Sequence, residues 1–156
     1  MIEITISKVA VLHLDHLVLD YNGTLAQDGE LIAGVRERLQ QLAQTLQLHV
    51  LTADTHGTVQ EKVSSINCLL HVIGVGKEDK AKARYLELLG PDRVVAIGNG
   101  RNDVIMLKEA ALGIAVLQTE GLSPQALSAS DIFCKDINDA LDLLLYPARL
   151  TATLRN

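Results

Sequence analysis

The chain has 156 residues, enough for one compact domain and too few for two of ordinary size. Apolar residues make up 48% of it and charged residues 21%, a composition that excludes intrinsic disorder. At this size, folding needs neither a disulfide nor a structural metal. The formal charge is −5 and no Lys/Arg cluster stands out, which argues against nucleic acid as a partner.

The sequence also argues against a membrane-spanning protein and against a zinc-binding protein. Every apolar run is far shorter than the roughly 20 residues that a membrane span requires. The start, Met1-Ile2-Glu3, lacks the basic and apolar regions of a secretion signal, so we expect a cytoplasmic protein without a membrane partner. Cys68 and Cys134 have no second Cys or His at metal-ligand spacing, which favours reduced thiols over a zinc site.

Strand-like and helix-like patterns alternate along the chain. The first twelve residues alternate with a period of two, which predicts a small antiparallel element ahead of the main sheet. Strands are then predicted at residues 16–19, 48–51, 69–73, 94–97, 112–116 and 131–134, of which the first and the fourth should be buried. Helices are predicted at residues 35–46, 58–66, 77–89, 102–111 and 137–145. Residues 147–156 are the only candidate for a frayed tail.

This alternation predicts one α/β domain over residues 1–156. Neighbouring parallel strands need a crossover connection, which is normally a right-handed helix, so we expect a doubly wound parallel sheet between two helical layers. In such sheets, ligands bind beyond the carboxyl ends of the strands. Polar residues stand at that position in four places: residues 20–24, 52–55, 77–80 and 98–103.

The polar residues in these four segments allow either a catalytic or a purely structural interpretation, as Asp20 and Lys80 illustrate. A carboxylate at a strand tip can attack phosphorus or bind a metal, but a strand-end Asp often only caps a turn. Lys80 alone would be a solvated lysine in the first turn of a helix. Their occurrence together with the other polar segments favours the functional interpretation.

In order along the chain, these segments resemble motifs of the haloacid dehalogenase superfamily of phosphohydrolases, and more narrowly those of the phosphorylation domain of P-type ATPases. Asp20-Tyr21-Asn22-Gly23-Thr24-Leu25 is similar to the superfamily's Asp-x-Asp-x-Thr and to the pumps' Asp-Lys-Thr-Gly-Thr-Leu. Leu51-Thr52-Ala53-Asp54 is similar to Leu-Thr-Gly-Asp, and Glu78-Asp79-Lys80 to Pro-Glu-Asp-Lys. Gly98-Asn99-Gly100-Arg101-Asn102-Asp103 resembles Gly-Asp-Gly-x-Asn-Asp.

The resemblance implies a Rossmann-like fold and a Mg²⁺-dependent phosphatase with Asp20 as the nucleophile that becomes an aspartyl phosphate. Such a reaction needs little beyond positioning and neutralisation of charge. The residues that the resemblance implies for catalysis are Asp20, Asn22, Thr52 and Lys80. Those implied for phosphate binding are Gly23, Thr24, Thr52, Ala53 and Lys80. Those implied for Mg²⁺ are Asp20, Asn22, Asn99 and Asp103.

Two asparagines depart from the superfamily pattern. Asn22 replaces the second Asp, which serves as general acid and base in the phosphatases, and the pumps have Thr there. Loss of acid–base catalysis is typically worth 10²- to 10⁴-fold in rate. Asn99 replaces an Asp that binds Mg²⁺ directly in these relatives, so we expect weaker Mg²⁺ binding. The leading hypothesis is therefore a phosphohydrolase that favours good leaving groups, and the alternative is a catalytically silent phosphate-binding or regulatory domain.

The spacing of the motifs leaves no room for a cap domain, because only 32 positions separate Asp20 from Thr52 and 28 separate Thr52 from Lys80. The site should therefore be open. By resemblance to other capless members, a neighbouring subunit or a macromolecular substrate would cover it. We expect a phosphorylated small molecule or a phosphoprotein as the substrate, and a homo-oligomer.

Overall fold

The computed structural model describes residues 1–7, 10–54, 57–74 and 76–155. It begins with the predicted antiparallel element, a hairpin of two strands, β1 (Ile2–Ser7) and β2 (Ala10–Leu14). The remaining strands are β3 (His16–Asp20), β4 (Ala26–Gln27), β5 (Glu30–Leu31), β6 (Gln47–Thr52), β7 (Cys68–Val72), β8 (Val94–Gly98), β9 (Leu112–Val116) and β10 (Ile132–Cys134). Lys8, Val9 and Thr55, which belong to predicted segments, lie outside the described residues.

Helices connect most of these strands. They are α1 (Val35–Leu42), α2 (Thr58–Val63), α3 (Glu78–Leu89), α4 (Val104–Glu109), α5 (Pro124–Ala129), α6 (Ile137–Leu145) and α7 (Ala148–Leu154). Two short 3-10 turns, Pro91–Arg93 and Arg101–Asp103, precede β8 and α4. In the described part of the chain, none of these helices is long and apolar enough to cross a bilayer.

The predicted fold class is confirmed. Six parallel strands form the central sheet in the order β10-β9-β8-β3-β6-β7. The chain proceeds from β3 to β6 and β7 on one side, then continues on the other side with β8, β9 and β10. The strand order therefore reverses between β3 and β8, which is where doubly wound sheets bind ligands. Asp20 and Gly98 end these two strands at the same edge.

The core consists of two apolar layers, one on each face of the sheet. Leu17 and Leu19 of β3 pack into the layer that also holds Leu39 of α1 and Leu141 of α6. Val18, between them, points to the opposite face and packs with residues of α3 and α4. This alternation follows from the two-residue period of a strand and explains why residues 17–19 of β3 are all apolar.

The segments between the site-bearing strands are short. Between β3 and β6 the described chain contains only the β4–β5 hairpin and α1, so nothing the size of a cap domain is inserted there. The two-residue strands β4 and β5 occupy part of what the sequence suggested was a plain loop. Between β6 and α3 the described residues form only α2 and β7, so within the described part of both intervals the prediction of no cap domain is confirmed.

The prediction of a frayed tail is wrong for residues 148–154. They form α7, which packs on β1 with Leu150 fully buried. The hydroxyl of Thr151 also donates a hydrogen bond to the carbonyl of Thr5 at 2.9 Å. Leu150 and Leu154, one helical turn apart, give this segment an apolar stripe. Its helicity thus depends on a hairpin that is distant in sequence.

Candidate active site

A buried cluster of one ammonium and two carboxylates lies at the edge of the sheet where the strand order reverses. Nζ of Lys82 donates to Oδ1 of Asp20 at 2.7 Å and to Oδ1 of Asp103 at 2.6 Å. Asp20 comes from the end of β3, Lys82 from the first half of α3, and Asp103 from the turn that precedes α4. Three elements therefore converge on one ion cluster that is shielded from solvent.

The second oxygen of Asp103 is held by the loop that follows β8. Oδ2 accepts hydrogen bonds from the backbone N–H groups of Asn99 at 3.0 Å and Gly100 at 2.9 Å. Gly98 permits this wrapping, because a Cβ added there would lie 2.5 Å from Cγ of Asp103. The Asp103 carboxylate is thus committed to Lys82 and to its own loop.

The hydroxyl of Thr24 marks the point where two acceptor oxygens converge. Oγ1 lies 3.2 Å from Oδ2 of Asp20 and 3.3 Å from Oδ1 of Asn99. Its single proton can serve only one of them at a time. The Asn99 amide is oriented from its other side, since Nδ2 donates to the carbonyl of Gly121 at 3.0 Å. Gly23, with φ of +76°, supplies the left-handed turn that brings Thr24 back over Asp20.

Burial and charge together set the electrostatics of the cluster. Burial, followed by the nearby Asp103, raises the pKa of Asp20 to about 7, against the opposing effect of Lys82. Burial disfavours the charge on Lys82, but the carboxylates of Asp20 and Asp103 outweigh it and raise the pKa of the ammonium. With both carboxylates ionised, two negative charges face one positive charge, so the cluster attracts a further cation.

Solved phosphatase structures resemble this chain in fold. A 3-deoxy-D-manno-octulosonate 8-phosphate phosphatase from Moraxella catarrhalis, in complex with magnesium, phosphate and KDO, superposes with a TM-score of 0.72 at 20% identity. The match covers 92% of this chain and 94% of that one. The cobalt-bound phosphatase of the same type from Haemophilus influenzae gives 0.73 at 13% identity, with the same coverages.

Residues 74–140 match the family model of haloacid dehalogenase-like hydrolases. Over that segment the chain is similar to the haloacid dehalogenase-like hydrolases. Among curated proteins, the uncharacterised protein MJ0073 of Methanocaldococcus jannaschii is 49% identical over 85 residues, which are 52% of this chain and 91% of that protein. Uncharacterised protein MJ0072 of the same organism is 46% identical over 39 residues, which are 25% of this chain and 89% of that protein.

Lys80, the lysine predicted for this site, does not reach it. Its side chain is exposed, and Lys82 takes the place beside Asp20. Two residues rotate a helix by about 200°, so these lysines lie on nearly opposite faces of α3. The buried residues of α3 are Lys82, Ala83 and Leu86, so Lys82 belongs to the helix's inward face. That periodicity was the sequence signal that could have identified Lys82.

The other predicted residues lie around the cluster at different depths. Thr52 is buried at the end of β6, and its hydroxyl oxygen accepts the backbone N–H of Asp54 at 3.1 Å. Ala53 follows it and is partly buried. Asn22 is exposed, in the loop directly after Asp20. The structure therefore brings together Asp20, Gly23, Thr24, Asn99 and Asp103, with Thr52 and Ala53 on the neighbouring strand end.

The donor set suits a hard divalent cation held by few protein ligands. Oδ2 of Asp20 and Oδ1 of Asn99 converge at Thr24, and Mg²⁺ prefers such oxygen ligands, completing its shell with water and substrate phosphate. Asp103, predicted as a further ligand, is instead committed to Lys82 and the loop. Within the described ranges, no group of three His, Cys, Asp or Glu side chains could hold a metal. These residues fit a divalent cation that would have the Asp20 carboxylate as its one charged protein ligand.

Proposed function

We propose that this chain is a Mg²⁺-dependent phosphohydrolase that forms an aspartyl phosphate on Asp20 and favours phosphate esters or anhydrides with good leaving groups. The observation that supports this most is the buried Asp20 carboxylate at the reversal point of the sheet, held between Lys82 and Thr24. The phosphatases of similar fold carry magnesium or cobalt in their structures, which supports dependence on a divalent metal.

In the proposed first step, a carboxylate oxygen of Asp20 attacks phosphorus. A bond forms between them, and the bond from phosphorus to the leaving group breaks with its electron pair on the departing oxygen. Lys82 orients Asp20 and offsets negative charge, while the Thr52 hydroxyl and the backbone of residues 22–24 hold phosphoryl oxygens. Asp20, Asn99 and Asn22 would hold Mg²⁺, which when bound supplies additional neutralisation of the phosphoryl charge.

In the second step, water attacks the phosphorus of the aspartyl phosphate. A bond forms between the water oxygen and phosphorus, and the bond between phosphorus and Asp20 breaks with its electron pair on the Asp20 carboxylate. The proton that the water loses passes to the departing inorganic phosphate or to bulk solvent. The amide of Asn22 can neither protonate a leaving oxygen nor accept a proton from this water. We therefore expect a preference for leaving groups that need no proton and a slow second step.

An assay with an activated aryl phosphate and Mg²⁺ tests this function directly. The wild-type chain should turn over, and Asp20→Asn should not, because the amide is not nucleophilic. Circular dichroism should show that the variant is folded. Equal, background-level release of the phenol by both chains would contradict the proposal.

A catalytically silent phosphate-binding or regulatory domain is the second candidate, and the two asparagines favour it. Asn22→Asp separates the two functions. If only the proton donor is missing, this variant should hydrolyse alkyl phosphates about 10²-fold faster or more. If alkyl phosphate hydrolysis does not increase and phosphate still binds, the silent domain is the better account.

We further propose that the substrate is a phosphorylated small molecule or a phosphoprotein. The names of the similar phosphatases support the first of these. The interval between Asp20 and Thr52, which contains no cap domain, supports cover from a partner subunit or from the substrate itself. The motif resemblance to P-type ATPases supports a long-lived aspartyl phosphate.

A further inference from the structure

The loop between β9 and α5, residues 117–123, crosses the site and is fixed to it at three points. Nε2 of Gln118 donates to the carbonyls of Gly23 at 2.9 Å and Thr24 at 2.7 Å. The backbone N–H of Ser123 donates to the carbonyl of Asn99 at 2.9 Å. The side chain of Asn99 holds the middle of the loop through the carbonyl of Gly121. These hydrogen bonds therefore fix the position of the loop relative to the site.

The bond from Asn99 to Gly121 requires an amide. Its donor is the side-chain nitrogen, and an aspartate at position 99 would place a carboxylate oxygen against the Gly121 carbonyl. Asn99 thus lacks the charge that an aspartate would bring to the cation site, but it fixes the residue next to Glu120. The amide that removes a negative charge at position 99 therefore also fixes the part of the loop that carries the Glu120 carboxylate.

Glu120 extends from this loop toward the residues that would hold the cation. Its Oε2 lies 3.0 Å from the position that a Cβ on Gly23 would occupy, and that same Cβ would collide with the side chain of Asn99. Glu120 and Asn99 therefore lie side by side over the bare backbone of Gly23. Oε1 of Glu120 receives only a long bond of 3.4 Å from the backbone N–H of Asp28, and none of the described cations pairs with it.

We propose that Glu120 is a positioning residue for the divalent cation and supplies the negative charge that Asn99 lacks. Mg²⁺ and Mn²⁺ keep several water ligands, and a carboxylate beside the site can accept hydrogen bonds from them. This inference rests on the proposed function, because it concerns the same cation. Through Glu120, the loop of residues 117–123 thus takes part in binding the metal.

The experiment measures Mn²⁺ binding to the substrate-free chain by isothermal titration calorimetry. Glu120→Gln keeps the shape of the side chain and the acceptor for Asp28, so its thermal unfolding should match that of the wild-type chain. It should raise the Kd for Mn²⁺ by about tenfold, the low end of what the loss of such an outer partner usually costs. Glu109→Gln is the matched control, because Glu109 is an exposed carboxylate at the end of α4. Its Kd should not change.

The outcomes separate this inference from the proposed function. If the wild-type chain binds Mn²⁺ and Glu120→Gln binds it within about twofold of the same Kd, the role of Glu120 is overturned while metal dependence stands. If the wild-type chain turns over an aryl phosphate but binds no Mn²⁺, metal binding is overturned and Asp20 chemistry stands. A tenfold loss in Glu120→Gln together with an unchanged Glu109→Gln supports the inference.

Discussion

Lys82 carries the only positive charge that the described structure places inside the candidate site. It neutralises two carboxylates that would otherwise be buried together at the end of the sheet. Removing one partner of a buried ion pair typically costs 3–5 kcal/mol, because the remaining charge loses its compensation. This lysine therefore stabilises the fold and orients Asp20 at the same time.

Two lysine variants on α3 test that dual role. Lys82→Ala should lower the free energy of unfolding by about 3 kcal/mol and abolish phosphatase turnover. Lys80→Ala, in the same helix but exposed, should change stability by less than about 0.5 kcal/mol. Urea unfolding and an aryl phosphate assay measure the two effects. If the two variants behave alike, the assignment of Lys82 is wrong.

Some residues of the site could be predicted from the sequence alone, whereas others could be identified only from the structure. Asp20 and Asn99 were predictable, because each stands directly at the carboxyl end of a buried strand. Lys82 was missed because the resemblance pointed to Lys80, and only the inward face of α3 distinguishes the two. The role of Asp103 also differs from the prediction, since its partners are a side chain 21 positions away and its own loop.

Among the elements, β8 positions the site through its last residue. An alanine at Gly98 would push its Cβ into the Asp103 carboxylate, whose contact with Lys82 would be displaced. Gly74→Ala is the control, because a Cβ there meets nothing within 4 Å. We expect Gly98→Ala to lose about 1–3 kcal/mol of stability, the usual cost of overpacking, and most of its turnover. Thermal unfolding and the aryl phosphate assay would show both losses, and equal behaviour of the two variants would argue against this packing.

β6 carries a buried histidine that should make stability depend on pH. His49 contacts His16 at 3.1 Å and the hydroxyl of Tyr85 at 2.8 Å. Burial, followed by repulsion from His16 and His71, lowers the pKa of His49 to about 4. The unfolded chain, with a pKa of about 6.5 for this group, then binds the extra proton, so the stability that His49 contributes falls as pH drops from about 6.5 to 4.

The contribution of His49 to the slope in this window should approach about 1.4 kcal/mol per pH unit for one proton. Asp20, whose pKa is raised to about 7 in the folded chain, contributes with the opposite sign over the same range, so the effect of His49 is measured as a difference between variants. Urea unfolding between pH 4 and pH 7 compares the wild-type chain with His49→Gln, and a Gln variant of the exposed His13 should keep the wild-type pH dependence. The same pH dependence in the wild-type chain and in His49→Gln would contradict the buried, neutral state of His49.

The elements themselves were predictable where their patterns were long. The six strands of the central sheet followed from apolar runs between polar segments. The strands of the β4–β5 hairpin have two residues each, which are too few positions for a period to be recognised. Helix α5 was not predicted, although α2 and α4, which have the same length of six residues, were. Ser123 followed by Pro124 is the sequence signal for the start of α5, because proline is favoured at the first position of a helix.

At the scale of the whole molecule, the strand order assembles the site. Asp20 and Asn99 are far apart in sequence, yet β3 and β8 are neighbours and end at one edge. The alternation of strands and helices made this convergence predictable, because it implies a doubly wound sheet. The crossing of loop 117–123 over the site was not predictable, since Gln118 reaches a carbonyl 95 positions away.

The account as a whole depends on covalent phosphorylation of Asp20. The most direct measurement mixes the chain with an aryl phosphate and Mg²⁺, quenches in acid, and maps the peptides by mass spectrometry. We predict one added phosphoryl group on the peptide that contains Asp20, absent from Asp20→Asn and absent when the metal is chelated. Phenol release without any phosphorylation of that peptide, or the same label on Asp20→Asn, would contradict the account.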